Sequence, residues 1–188
     1  MQNQSHSDAL PKDFHQRMLN GADAFYFAGL LTSVPFDAAR VAEEQLTNAT
    51  AAGIAASRGH DGPNSLGAPP IVNLAFAIEL YLKLLLSLHG KLSRGHSLAD
   101  LFIALEAQAP DVVACSIALH RYSRGDRDEF FEELRTVSNS FEQWRYAHEH
   151  EFLISSADTL MSIADAFRAS IRELHPKLVS VFDRVNRG

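Results

Sequence analysis

The segment RYAHEH places an arginine, Arg145, ahead of a histidine, His150, with four residues between them. A guanidinium is a permanent cation that binds phosphate oxygens, and an imidazole exchanges protons near neutral pH. Together they can cleave a phosphodiester, because one group stabilises the developing charge while the other moves a proton. The pair predicts acid–base chemistry on a phosphodiester. His148 is the alternative histidine, since it lies closer to Arg145 around an ideal helix.

The same segment also has a purely structural interpretation. Four of its residues fall within an arc of about 80° on a helical wheel and are predicted to face a core. This stripe consists of Phe141, Trp144, His148 and Phe152. Glu142 and Glu149 are spaced to hold the Arg145 guanidinium from either side. On this interpretation the arginine is clamped and serves packing alone.

A second constellation lies in the apolar stretch 71–88. Glu79 and Lys83 are spaced i, i+4, the favourable order for an ion pair within a helix. Asn73 and Ser87 share the same arc of about 120°, while nearly all other positions are apolar. One interpretation is an exposed stripe on a packed helix. The other is a charged pair that lines a cleft or a dimer contact, where each charge needs a partner.

Other reactive residue types give weaker signals. The nine histidines include no helical pair at i, i+4 of the kind that binds zinc. Cys115 is the lone cysteine, and no nucleophile motif surrounds it or the nearby His120, so we expect a buried structural thiol. The glycines of 58–70 lack the lysine motif of a phosphate-binding loop. We therefore expect no metal and no cofactor.

The elements that must position these residues are all predicted to be helical. Hydrophobic periodicity near 3.6 indicates helices over about 14–31, 36–57, 71–89, from 98 onward, 126–137 and 156–175, with a restart after Pro176. Residues 110–121 are predicted to form a short helical turn or connector. Three glycines and three prolines predict a long loop over 58–70, RGHDGPNSLGAPP. The expected fold is an all-α, up-and-down helical bundle, with residues 1–12 as a flexible tail and 13–188 as one domain.

Short runs in this order resemble the HEPN-domain superfamily (higher eukaryotes and prokaryotes nucleotide-binding). They are 77–86 (AIELYLKLLL), 95–101 (GHSLADL) and 141–149 (FEQWRYAHE), and the resemblance covers about 71–175. It implies an all-α bundle that dimerises so that two arginine–histidine motifs form a composite site. Many members are metal-independent RNases, toxins or defence factors, whereas others are non-catalytic partners of nucleotidyltransferases.

Carried onto this chain, the resemblance assigns the general acid or base to His150 and the phosphate-stabilising cation to Arg145. Five further residues would line or support the cleft: Glu79, Lys83, His96, Tyr146 and Glu149. Tyr146 departs from active members, which often place a small polar residue after the arginine. The expected partners are a second copy of the chain, RNA or a nucleotide, and a protein such as a nucleotidyltransferase.

Composition limits the classes of function. The formal net charge of -6 gives no global attraction to nucleic acid, so binding would need a local basic patch. A single cysteine and a polar start to the chain favour a cytoplasmic protein, and polar residues within 71–88 argue against a membrane span. Two hypotheses remain open: a non-catalytic HEPN-like binding or accessory module in RNA- or nucleotide-linked processes, slightly favoured, and a metal-independent RNase.

Overall fold

The computed structural model describes residues 10–33, 68–121, 125–138 and 157–185. These ranges contain α-helices and no strand, which confirms the predicted all-α helical bundle. The helices are α1 (Phe14–Ser33), α2 (Ala68–Leu88), α3 (Leu98–Gln108), α4 (Pro110–Leu119), α5 (Arg127–Val137), α6 (Ala157–Leu174) and α7 (Val181–Val185). The predicted helices over 36–57 and 141–152 lie outside the described residues. The division into a tail and one domain stays a prediction.

Helix α2 is the centre of the bundle and packs against α1, α3 and α6. Its side chains are apolar on most sides, and the largest of the buried ones, Tyr81, is completely enclosed. Burial of side chains of this size stabilises a fold by about 1.5–3 kcal/mol each. The completely buried aliphatic residues of α2 are Leu74, Ile78, Leu82, Leu84, Leu85 and Leu86.

Pairs of contacting residues give the helix directions. Gly29 lies against Leu74 near the end of α1, and Asp23 binds Tyr81 further back, so α1 and α2 are antiparallel. A β-carbon at Gly29 would approach Leu74 Cγ to 2.7 Å, so glycine is needed for this close approach. Arg168 of α6 binds the same Asp23. Because Tyr26 of α1 binds Asp165, α6 is also antiparallel to α1.

Several helix ends match their sequence signals. Gly90 has φ +82° just after α2, as expected for a residue that ends a helix. The Ser97 hydroxyl accepts a hydrogen bond from the Asp100 amide at 3.3 Å, so Ser97 caps the start of α3. Asp126 caps α5 by accepting from the amides of Asp128 and Glu129.

Two predicted boundaries are wrong. The loop over 58–70 was predicted to end at Pro70, but α2 already begins at Ala68. Proline is tolerated in a first helical turn, where its missing N–H has no partner to lose, so Pro69 and Pro70 do not stop the helix. Residues predicted as a turn or connector form the ten-residue helix α4, which starts at Pro110 for the same reason.

Within the described residues, one segment, Ile71–Leu88, is long and apolar enough to cross a membrane. Two thirds of this segment (67%) is buried inside the bundle. It carries Glu79 and Lys83, whose charges would be costly in a bilayer. Burial by neighbouring helices accounts for its apolar character, and the core helix of a soluble protein has the same properties.

Candidate functional site

The predicted catalytic residues, Arg145, His148 and His150, lie outside the described residues, as do Tyr146 and Glu149. Their roles stay predictions. The other three predicted site residues, Glu79, Lys83 and His96, are described, and the structure brings them together.

The Glu79 carboxylate holds these three residues together. Lys83 Nζ donates a hydrogen bond to Glu79 Oε1 at 2.7 Å, across one turn of α2. His96 Nδ1 lies 3.0 Å from the same oxygen, although it comes from the loop between α2 and α3. One carboxylate oxygen therefore serves two basic side chains that are 13 positions apart in sequence. We call these three residues the Glu79 cluster.

The Glu79 cluster is a partly buried site that opens at one edge. The side chains of Glu79 and Lys83 are only 11% and 16% exposed, whereas His96 is 76% exposed. The alternative of an exposed stripe on α2 is therefore wrong, because Glu79 and Ser87 are both buried. The charged pair has the partners that such burial demands. A ligand approaching from solvent would meet the His96 imidazole first.

The end of α5 lies beside this cluster. Ser138 Oγ accepts a hydrogen bond from the Ala99 amide at 3.1 Å and lies 3.4 Å from Ser97 Oγ. Ser97 directly follows His96, and Ser138 is the last described residue before the segment that contains Arg145. Six residues lie between Ser138 and Arg145 in the sequence, and a chain of that length spans at most about 25 Å.

Sequence reasoning missed a second polar cluster, inside the bundle. Arg168 donates two hydrogen bonds to Asp23, one to each carboxylate oxygen and both at 2.9 Å. It also donates to Asp183 Oδ1 at 2.7 Å, and Arg172 binds the same carboxylate. The Tyr81 hydroxyl donates to Asp23 Oδ1 at 2.5 Å. We call these five residues the Arg168 network.

Burial and charge act together on the groups of the Arg168 network. Burial, followed by the negative charge of Asp23, raises the pKa of Tyr81 far above its usual value, so its proton stays on the hydroxyl. Burial opposes the charge on Arg168, but hydrogen bonds from Arg168 to Asp23 outweigh it and raise the arginine pKa. The network is saturated with internal partners and has a structural role. The network could not be predicted from the sequence, because Asp23 and Arg168 are 145 positions apart.

A third cluster lies at the end of the bundle where α1 begins. His15 is in the first turn of α1, His89 directly follows α2, and His175 directly follows α6. The rings of His89 and His175 are 5.9 Å apart and nearly perpendicular. The Nε2 atoms of all three are buried and have no hydrogen-bond partner within the described protein. We call them the histidine trio.

The pair of Cys115 and His120 offers no reactive geometry. Burial, followed by the charges of Glu173 and Asp111, raises the pKa of the Cys115 thiol and so disfavours the nucleophilic thiolate. Cys115 is only partly buried, against the expectation of a buried thiol. The His120 ring instead packs edge-on against Phe130, with ring centres 4.9 Å apart.

Among the described residues, no group of three or more acidic, histidine or cysteine side chains has a geometry that could hold a metal ion. Comparisons of the chain with known protein families, with curated proteins and with solved structures gave no match. The resemblance to HEPN proteins therefore continues to rest on the sequence motifs, and the geometry of the Glu79 cluster is the structural information that bears on function.

Proposed function

We propose that the protein is a HEPN-like binding or accessory module that acts in RNA- or nucleotide-linked processes in the cytoplasm. The observation that carries the proposal is the Glu79 cluster. Three residues that the resemblance assigns to one cleft, Glu79, Lys83 and His96, meet at one carboxylate beside Ser138, where the motif-bearing segment begins. The contact from His96 is the informative one, since His96 comes from the loop between α2 and α3, whereas helix spacing alone brings Glu79 and Lys83 together.

The charge of the cluster favours binding over catalysis. Lys83 contacts a carboxylate, so its positive charge is already compensated and is poorly available to stabilise a transition state. His96 shares that carboxylate and is the exposed member, suited to contact a base or a ribose hydroxyl. The net charge of -6 likewise favours local, modest contacts over tight binding of a long nucleic acid.

The alternative is a metal-independent RNase of a toxin or defence system. It is favoured by Arg145 and His150, which supply the cation and the proton-transfer group that phosphodiester cleavage requires. In this alternative a second copy of the chain contributes its own pair to a composite site. If the protein is a binding module instead, Arg145 binds phosphate without cleavage, and a partner such as a nucleotidyltransferase performs the chemistry.

The deciding experiment measures binding and cleavage in the same samples. A fluorescein-labelled single-stranded RNA pool and a labelled ATP analogue are titrated with the protein in chelator, and anisotropy is followed by gel analysis of the RNA. We expect binding without cleavage. Arg145→Ala should weaken that binding about tenfold, since it removes a charge-assisted contact to phosphate.

Arg135→Ala is the matched control, because Arg135 is an exposed cation on α5 whose partner is Glu132. It should bind as the parent does. Chelator-resistant cleavage that is lost in both Arg145→Ala and His150→Ala would replace the module by the RNase, and His148→Ala would show which histidine acts. Equal binding by the parent and Arg145→Ala, or no binding to either probe by folded protein, would overturn the proposal.

A further inference from the structure

A cavity of about 510 Å³ opens at the end of the bundle that carries the histidine trio. It lies between the residues around the start of α1 and the segment that follows α6, and Leu88 at the end of α2 contributes to its wall. The side chain of Gln16 closes one side, because it donates to the carbonyl of Val179 at 2.9 Å and so ties α1 to that segment. The volume is within the range that small-molecule sites occupy.

The charge of this cavity differs from that of the chain. Lys12 and Lys177 line it, together with His15 and His175, and none of its described lining residues is acidic. The chain as a whole has 23 acidic residues against 17 lysines and arginines. Neither lysine takes part in an ion pair among the described residues. Two ammonium groups without an opposing carboxylate create a positive potential that attracts an anion.

Two members of the histidine trio, His15 and His175, line this cavity, and His89 lies against His175. The Nε2 atoms of all three are buried without hydrogen-bond partners among the described residues, so each ring has an unused hydrogen-bonding position. Burial, and then the neighbouring His89 and His15, lower the pKa of His175. The carboxylate of Asp111 acts in the opposite direction. An anion in the cavity would favour the protonated form of His175, which lines it, so binding and proton uptake at this residue are coupled.

We propose that this cavity binds a small organic phosphate, whose phosphate group lies between Lys12 and Lys177 and whose apolar part rests on leucine side chains. The lysines make the direct contacts, since they can reach phosphate oxygens as flexible point charges. Leu88, Leu174 and Leu178 supply the apolar wall. A bare metal ion does not fit as well, because no metal-binding geometry occurs among the described residues.

This site does not depend on the proposed function. It is built from the start of α1 and the ends of α2 and α6, whereas the Glu79 cluster lies beside Ser138 at the end of α5. The Arg145 variants therefore test one proposal and the lysine variants test the other. Failure of either leaves the other standing.

The probe is phenyl phosphate, with inorganic phosphate and phenol as its two halves. Titrations are followed by NMR signals of the histidine side chains and by calorimetry. We expect phenyl phosphate to bind more tightly than either half and to shift the signals of the histidine trio.

Lys12→Gln/Lys177→Gln is the test variant, chosen because both lysines are exposed and their loss leaves the core untouched. It should bind phenyl phosphate about tenfold more weakly, as expected for loss of a charge-assisted contact. Arg135→Gln, on α5 and outside the cavity, should bind as the parent does. Unchanged binding by the lysine variant, absence of any shift in the trio, or tight zinc binding that displaces phenyl phosphate would overturn the proposal.

Discussion

The Arg168 network and the histidine trio both connect α1, α2 and α6. They differ in whether the polar atoms of their side chains have hydrogen-bond partners. The Arg168 network connects α1, α2, α6 and α7, and each of its charged groups contacts an opposite charge. The histidine trio connects the start of α1 with the ends of α2 and α6, and its Nε2 atoms have no hydrogen-bond partner among the described residues. In the first cluster every charged group has an opposite charge as its partner, although Arg172 is half exposed, whereas the second retains unused hydrogen-bonding positions.

This difference separates a structural role from a functional one. A buried charge survives folding when opposite charges and hydrogen bonds surround it, and such an arrangement fixes how helices align. Asp23, with no exposed surface, sets the alignment of α1 against α2 and α6 through Tyr81 and Arg168. Unpartnered imidazoles beside a cavity instead leave interactions for a ligand or a proton.

The largest expected effect comes from breaking the Arg168 network. Arg168→Met leaves the buried carboxylate of Asp23 without its cation, and we expect a loss of about 3–5 kcal/mol in the free energy of unfolding. Urea unfolding followed by circular dichroism measures this loss. Much of it should be recovered in Asp23→Leu/Arg168→Met, which removes both charges and leaves only Tyr81 and Asp183 to adjust.

Arg172→Met is the control for that variant. Arg172 binds Asp183 as Arg168 does, but its side chain is 50% exposed. Exposed ion pairs contribute about 0–1 kcal/mol, so this variant should unfold almost as the parent does. Equal losses for the two arginine variants would show that burial of the Arg168–Asp23 pair does not set the stability of the network.

A smaller effect is expected from the two tyrosines of the same region. Tyr81→Phe removes the hydrogen bond to Asp23 inside the core and should cost about 1–3 kcal/mol, because Asp23 has no solvent to replace that donor. Tyr26→Phe removes a bond to Asp165, which is only half-buried, and should cost about 1 kcal/mol or less. Urea unfolding of the two variants gives the comparison, and a larger loss for Tyr26→Phe would contradict the assignment of Asp23 as the centre of the network.

The sequence predicted the helices better than the clusters. Periodicity identified α1, α2, α5 and α6, since an apolar stripe repeats within each helix and needs no knowledge of its neighbours. The Glu79–Lys83 pair was also visible, because its partners are one turn apart. The Arg168 network and the histidine trio were not predicted, because their members come from separate helices and meet only through packing.

The errors at helix starts have a local cause. Proline was taken as a helix breaker at Pro70, but this residue lies in the first turn of α2, as Pro110 does in α4, where the amide hydrogen that proline lacks has no intrahelical partner. A proline stops a helix in its interior but is tolerated in its first turn. Which of the two applies depends on where the apolar face of the helix begins. The pattern of single residues does not carry that information.

The smallest expected effect is a pH dependence of stability, and it tests the histidine trio rather than the Arg168 network. Burial, followed by His89 and His15, holds the pKa of His175 below its usual value, and burial does the same for His120. Below about pH 6.5 the unfolded chain therefore binds more protons than the folded chain. The contribution of these two histidines to the free energy of unfolding is fully present above about pH 6.5 and is lost as the pH falls below that value. Asp183 of the Arg168 network adds nothing in this window. Burial acts to raise the pKa of Asp183, but hydrogen bonds from Arg172 and Arg168 outweigh burial and keep that pKa low.

Urea unfolding at several pH values between about 7.5 and 5.5 tests this dependence in the parent and in His175→Gln. The variant should lose part of the decrease, and the remainder should belong to His120, whose burial is independent of the trio. Saturating phenyl phosphate should also reduce the decrease in the parent, since a bound anion favours the protonated form of His175 and so opposes the lowering of its pKa in the folded state. An identical pH dependence in the parent and His175→Gln would mean that the histidine trio, although unpartnered, is as inert toward protons as the Arg168 network.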